Sequence, residues 1–354
     1  MNLTEVGGWH ATREQAFAPW AEAGFESGRV ALEHRGAYQL LTPTGEISAV
    51  VTGQFRHQAG GEQAFPAVGD WVVIQRQPGD DPAIIQAVLP RQSEFVRKAA
   101  GGKTEGQVVA ANVDTVFLVT GLDGDFNLRR IERYLVAAWE SGANPVIVLN
   151  KADTCKDLAS CIQAVEEVAI AVPIYAVSAA TGDGLEQLDP YLGAGQTVAL
   201  IGSSGVGKST LANHFLGVQH QVTQAVRADD SRGRHTTTGR HLLPLPSGAL
   251  LIDTPGMREL QLWTTSDGLE ATFADIEALA ADCRFRDCRH QGEPGCAVEA
   301  AIAAGDLERD RLHSYHKLQR EQQWIEQRQN TRASLNSKRR WKTIHKAMRD
   351  RPQR

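Results

Sequence analysis

The chain has 354 residues, of which 42% are apolar and 22% charged, with 33 glycines and 14 prolines. This composition is globular rather than disordered, and the length exceeds one ordinary core, so two or three domains are expected. No apolar run is long enough to span a bilayer, and the opening MNLTEVGGWHATREQ has no basic patch followed by an apolar stretch, so the expected compartment is the cytosol.

The net charge of −5 hides an asymmetry. Residues 305–354 hold 14 Lys+Arg against 6 Asp+Glu, which leaves 23 against 36 elsewhere. An acidic body with a basic end suits a polyanionic partner met at that end; a solvated helical face accounts for it equally well.

In chain order, residues 1–27 are polar with scattered aromatics, and no element is assigned to them. Residues 28–98 hold five β-rich runs (GRVALEH, GAYQLLT, GEISAVVTGQF, VGDWVVIQ, AIIQAVL) separated by turns. Five short strands predict a small β-barrel; the OB-fold is the commonest candidate, with an SH3-like barrel equally compatible in composition. The Gly-rich stretch Ala99–Gln107 reads as a link. Over 107–263, apolar strands (VDTVFLVT, PVIVLN, PIYAVSA, TVALIG, ALLIDTPG) alternate with helical segments (LRRIERYLVAAWESG, LASCIQAVEEVAIA, STLANHFLG). That alternation predicts a parallel sheet covered on both faces. Residues 264–335 read as helical and 336–354 as a basic tail.

The 107–263 region carries the strongest chemistry. Gly202, Ser203, Ser204, Gly205, Val206, Gly207, Lys208, Ser209 and Thr210 match G-x-x-x-x-G-K-[ST] between a predicted strand and a predicted helix. Such a loop turns several backbone N–H groups and a helix N-terminus toward a phosphate chain. Lys208 would reach the β- and γ-phosphates and Ser209 would ligate Mg²⁺. Asp253 of DTPG would hold Mg²⁺ through water, with the Gly256 N–H approaching the γ-phosphate. Asn150, Lys151 and Asp153 form N-K-x-D at the end of another strand. An Asp153 carboxylate can accept the N1–H and N2–H of guanine, whereas adenine offers an acceptor at the first position and nothing at the second. Ser178 and Ala179, some thirty residues on, can offer a backbone N–H to guanine O6. In GRHTTT, Gly233–Thr238, the threonines Thr236, Thr237 and Thr238 all qualify to close over Mg²⁺ and the γ-phosphate; Thr237 is taken as the ligand. Met257 stands where Ras-like proteins place the glutamine that orients water, so His235 is the candidate for that task. The motifs run NKAD, SAA, P-loop, GRHTTT, DTPG, a circular permutation of the Ras-like order that leaves the site unchanged.

Cys283, Cys288, His290 and Cys296 gather three thiols and one imidazole within fourteen positions. That set suits a closed tetrahedral structural Zn²⁺; free thiols or an iron–sulfur cluster are the alternatives.

With VGDWV (Val68–Val72), GRHTTT, DTPGMREL and C-x4-C-x-H-x5-C together, the chain resembles the bacterial RsgA/YjeQ family of ribosome small-subunit biogenesis GTPases over about residues 28–323. The resemblance implies an OB-fold, a circularly permuted GTPase domain and a helical zinc-binding domain. It further implies a monomer that acts on the 30S subunit and its 16S rRNA late in maturation, hydrolyses GTP under stimulation by that subunit, and uses His235 in catalysis. A GTP-dependent ribosome-binding switch with incidental hydrolysis is the competing expectation.

Overall fold

The computed structural model describes residues 7–34, 36–59, 61–77, 79, 82–98, 106–217, 240–253, 266–325 and 327. It begins with a helix that the sequence pattern does not disclose, α1 (Ala11–Glu22). The apolar residues of α1 are not gathered on one face and Pro19 lies inside it, so periodicity carries no signal there. Tertiary packing holds it instead: Trp9 meets Trp71 edge-on with ring centroids 4.7 Å apart, and Phe17 packs beside Trp9.

The barrel follows as β1 (Glu26–His34), β2 (Ala37–Thr42), β3 (Gly45–Val51), the short helix α2 (Gly53–Gln58), β4 (Trp71–Gln75) and β5 (Ala83–Val88). Pairing runs β1–β2–β3–β5–β4 and closes through β4–β1; only β3–β5 is parallel. This is an OB-type barrel, and Val30, Leu40, Ala49, Val72, Ile74 and Ile85 fill it. A hairpin of β6 (Glu94–Lys98) and β7 (Gly106–Ala111) then pairs outside the main sheet, where the sequence suggested the end of the barrel and a plain link. Within VGDWV, Gly69 has φ +91° and a Cβ there would overlap the Ala111 carbonyl, so this position requires glycine.

The second half of the sheet runs β10 (Ile174–Ala176), β9 (Asn144–Asn150), β8 (Thr115–Gly121), β11 (Thr197–Ile201), β13 (Leu250–Asp253), β12 (Arg240–Pro244). On one face Leu118, Ile147, Ala199 and Ile252 pack with Ile131 and Leu135 of α3 (Leu128–Ser141) and Val165 of α4 (Leu158–Val168). On the other, Phe117, Val119, Val146, Val148 and Val198 pack with Leu211 and Phe215 of α5 (Lys208–Phe215). The expectation of a purely parallel sheet fails at β12. Only residues 245–249 separate it from β13, far too few for a parallel crossover, so the two form an antiparallel hairpin. The free side of β12 pairs with β1 of the barrel, Leu32 opposite His241 and Glu33 opposite Arg240, which merges the barrel and the α/β sheet into one.

Arg29 and Arg13 seal that junction. Arg29 is fully buried and donates to the carbonyls of Gly7, Gly69 and Asn112 and to Thr197 Oγ1, with its guanidinium over the Trp71 ring. Arg13 donates to Asn112 Oδ1, Gln92 Oε1 and the Gly8 carbonyl.

The remaining helices are α6 (Ser266–Thr272), α7 (Ala274–Ala281), α8 (Ala297–Ala304) and α9 (309–325). Their core of Leu269, Phe273, Ile276, Val298, Leu312 and Tyr315 includes Val136 and Ala137 of α3. No helix among the described residues is long and apolar enough to cross a membrane.

Candidate nucleotide site and metal cluster

In an open α/β sheet, the carboxyl ends of the parallel strands form the crevice where ligands bind. Here the ends of β11, β9 and β13 carry the P-loop, the NKAD segment and Asp253, while β10 leads into Ser178. Segments far apart in the chain therefore meet along one edge.

Asn150 joins three of them. It is buried, its Nδ2 donates to the Val206 carbonyl of the P-loop at 2.7 Å, and its Oδ1 accepts the Ala179 N–H at 2.9 Å. The Leu122 N–H and the Asn150 carbonyl bring in a fourth segment, the loop after β8, at 2.8 Å. Lys151 adopts a left-handed backbone, φ 63°, which turns the chain into a short 3₁₀ turn (Ala152–Thr154). Asp153 is exposed on that turn, available to a base edge, and Ser178 is buried with its Oγ accepting the Thr181 N–H.

The P-loop curls through Gly202, Gly205 and Gly207, all at positive φ. A Cβ at Gly207 would overlap the Asn150 amide nitrogen, so the two motifs require each other's shape. Lys208 begins α5 and folds its ammonium onto the carbonyls of Gly202, at 2.6 Å, and Ser203. Ser209 and Thr210 follow in the exposed first turn, as does Ser204 within the loop. This arrangement can receive a polyanion: backbone N–H groups, a helix N-terminus and one fixed cation converge. The backbone of Asp253 ends β13. His235, Thr237 and Gly256 lie outside the described residues, as does the basic tail from 336.

Three residues that motif reading passes over also belong to this region. Asp123, after β8, accepts Lys151 Nζ at 2.5 Å, and that hydrogen bond holds its carboxyl below the usual carboxylate range. Arg130, in the first turn of α3, donates through Nη1 to Asp125 Oδ1 at 2.5 Å and to Ser203 Oγ at 2.7 Å. A strand end followed by Asp-Gly-Asp and a helix-capping Asn127 is the available signal, but no motif gives it meaning without the neighbours.

The second cluster is also assembled. Cys283, Cys288, His290 and Cys296 bring their ligand atoms within 4.8 Å of one another, the one such group among the described residues. Cys283 Sγ lies 4.0 Å from Cys296 Sγ and 3.7 Å from His290 Nδ1, which is 3.4 Å from Cys296 Sγ. A tetrahedron with Zn–S bonds of about 2.3 Å has sulfur–sulfur edges of about 3.8 Å, so the four residues fit one metal ion. The N–H groups of Ala297 and Glu299 donate to the sulfurs of Cys283 and Cys296, a placement that would stabilise thiolates there. His290 reaches its place through a left-handed backbone, φ 58°.

Residues 88–263 match the family model described as RsgA GTPase. A small ribosomal subunit biogenesis GTPase of Opitutus terrae, RsgA, is 50% identical over 360 residues, covering 99% of this chain and 98% of that protein. The corresponding RsgA 2 of Lactiplantibacillus plantarum is 53% identical over 300 residues, 85% of this chain and 84% of its own. Two crystal structures are similar, each 28% identical with a TM-score of 0.61. These are YjeQ from Thermotoga maritima, over 83% of this chain and 97% of that one, and YloQ, described as a circularly permuted GTPase, over 86% and 96%.

Proposed function

Because this chain belongs to the RsgA GTPase family, we propose that its GTPase activity serves late maturation of the 30S ribosomal subunit and is stimulated by that subunit. GTP is cleaved to GDP and phosphate. The observation that carries the residue assignment is Asn150, whose amide ties the NKAD, SAA and P-loop segments into one unit.

Asp153 accepts the N1–H and N2–H of guanine, so ATP would leave a carboxylate unpaired and is rejected. Asn150 holds the base loop and accepts the Ala179 N–H, the Lys151 stem lies along the ring, and the backbone that follows Ser178 faces guanine O6. The N–H groups of Gly205 to Thr210 cradle the phosphates and Lys208 neutralises charge that grows as the terminal bond breaks. Ser209, Asp253 and Thr237 would hold a Mg²⁺ ion, which would supply further neutralisation of the phosphate charge. Met257 cannot orient water, so His235 takes that part, and Thr237 closes the switch. Cys283, Cys288, His290 and Cys296 would hold one structural Zn²⁺ and leave no coordination position for water. The protein acts as a cytoplasmic monomer that meets 16S rRNA through the barrel and through the basic tail, with Lys338, Arg339, Arg340 and Lys342 as phosphate contacts.

GTP turnover with purified 30S and 50S subunits tests this reading. The 30S subunit is expected to raise kcat by on the order of tenfold or more, as a partner that completes a GTPase site does, and the 50S subunit to leave it near the basal rate. Subunit binding without any acceleration would instead favour a GTP-dependent binding switch with incidental hydrolysis.

A further inference from the structure

We propose that Arg130 is a positioning residue for GTP hydrolysis, acting through Ser203 on Lys208. The inference rests on the reading of Lys208 as the phosphate-clamping cation. It starts from Ser203, which is gripped at both ends. Its side-chain oxygen accepts Arg130 Nη1 at 2.7 Å, and its carbonyl accepts the Lys208 ammonium. The same ammonium also donates to the Gly202 carbonyl, one position away, at 2.6 Å. The pose of the Gly202–Ser203 peptide therefore helps to set the direction in which Lys208 presents its charge, and Arg130 tethers that peptide from outside the loop.

Arg130 is itself built to hold still. Its backbone N–H is capped by Asn127 Oδ1 at 3.1 Å, and its Nη1 is held by the Asp125 carboxylate and carbonyl. Neighbouring residues of the same helix are anchored on the far side: Arg129 and Glu132 pair with each other, and Glu132 is bound by Arg311 and Ser314. A rigid helix thus presents a guanidinium whose charge is balanced by Asp125, a group suited to fixing a loop rather than capturing an anion by itself. Nucleotide affinity comes mainly from the N–H groups of Gly205 to Thr210 and from the guanine loop, whereas Arg130 holds Ser203, at the other end of the P-loop. A misdirected Lys208 would matter most where charge develops, in the transition state.

The test is basal GTP turnover by the full-length protein without ribosomal subunits, so loss of subunit stimulation could not be mistaken for failure of this proposal. Arg130→Ala is expected to lower kcat about tenfold, the scale of a small misplacement of a catalytic group, with KM for GTP and GDP affinity within about twofold of wild type. Ser203→Ala should give the same loss, and Arg130→Ala with Ser203→Ala should be no worse than either alone, because both remove one tether. Arg130→Lys should recover part of the rate, since an ammonium can still donate to Asp125 and Ser203. Melting temperature serves as the control for folding; if Arg130→Ala is unfolded, the Ser203→Ala and Arg130→Lys pair carries the test. Multiplicative losses in the double variant, or a KM that rises as much as kcat falls, would overturn the proposal.

Discussion

Asn150 shows how much one side chain can organise. Both halves of its amide are spent on backbone groups of other segments, in a place where water cannot substitute. Asn150→Ala would leave the Val206 carbonyl and the Ala179 N–H unpaired, at about 1–3 kcal/mol for each orphaned group. We expect a lower denaturation midpoint and GDP binding weakened by more than tenfold, read by urea unfolding and by nucleotide titration. Wild-type affinity in that variant would mean that the three segments hold their places without the amide. Gly207 makes the same point from the other side, because its missing side chain is what lets the amide approach.

Among the elements, α3 does two jobs. Its first turn reaches the P-loop, and its outward face carries the helical C-terminal region. Glu132 is buried at that interface, where burial pushes its carboxyl up against the opposing pull of Ser314, Arg129 and Arg311. Arg311 spans the interface, donating to Glu132 Oε1 at 3.0 Å, bidentately to Asp275, and to the Thr272 carbonyl, with its guanidinium over the Phe273 ring. Removing one partner of a buried pair leaves a charge without compensation, which costs about 3–5 kcal/mol. Arg311→Ala should therefore detach or melt the C-terminal helices first, seen as selective proteolysis after β13, while GDP binding persists. Arg311→Met, which restores apolar volume but not charge, should be no better so long as Glu132 remains. An unchanged melting profile in both variants would show that the ionic cluster contributes nothing to the interface.

For the whole molecule, two kinds of joint hold the parts together. The barrel is fused to the α/β sheet by the β1–β12 pairing and by Arg29, so these two should unfold together. The C-terminal helices have only a small core, Cys296 among its members, and lean on the cysteine–histidine cluster. Removing zinc should therefore unfold that region while the nucleotide site survives on its own core. One zinc per chain is expected by metal analysis, and Cys283→Ser or Cys296→Ser should lose it together with helical circular dichroism but keep GDP binding. A metal content near zero in freshly purified protein would defeat the zinc assignment. β12 begins two positions after the GRHTTT motif in the sequence and pairs with β1, so the barrel abuts the strand that follows that motif.

The sequence by itself determined the motif inventory, the permuted order and the ligand set of the cluster, because each is a short string whose residue types answer to a single chemistry. It also determined the barrel and most of the α/β elements, whose apolar periodicity is local. Only the tertiary structure decided the rest. Helix α1 forms because Trp71 waits for Trp9 and Phe17, a contact across some sixty positions that leaves no periodic trace. The direction of β12 was set by the shortness of its connection to β13, and its junction with the barrel by a strand edge more than two hundred residues earlier. In the sequence Arg130 is one charge among several in the helical segment LRRIERYLVAAWESG; only the fold brings Ser203 to it. Motifs are legible where function is written in consecutive residues; positioning residues are not, because what they do depends on a neighbour that only folding supplies.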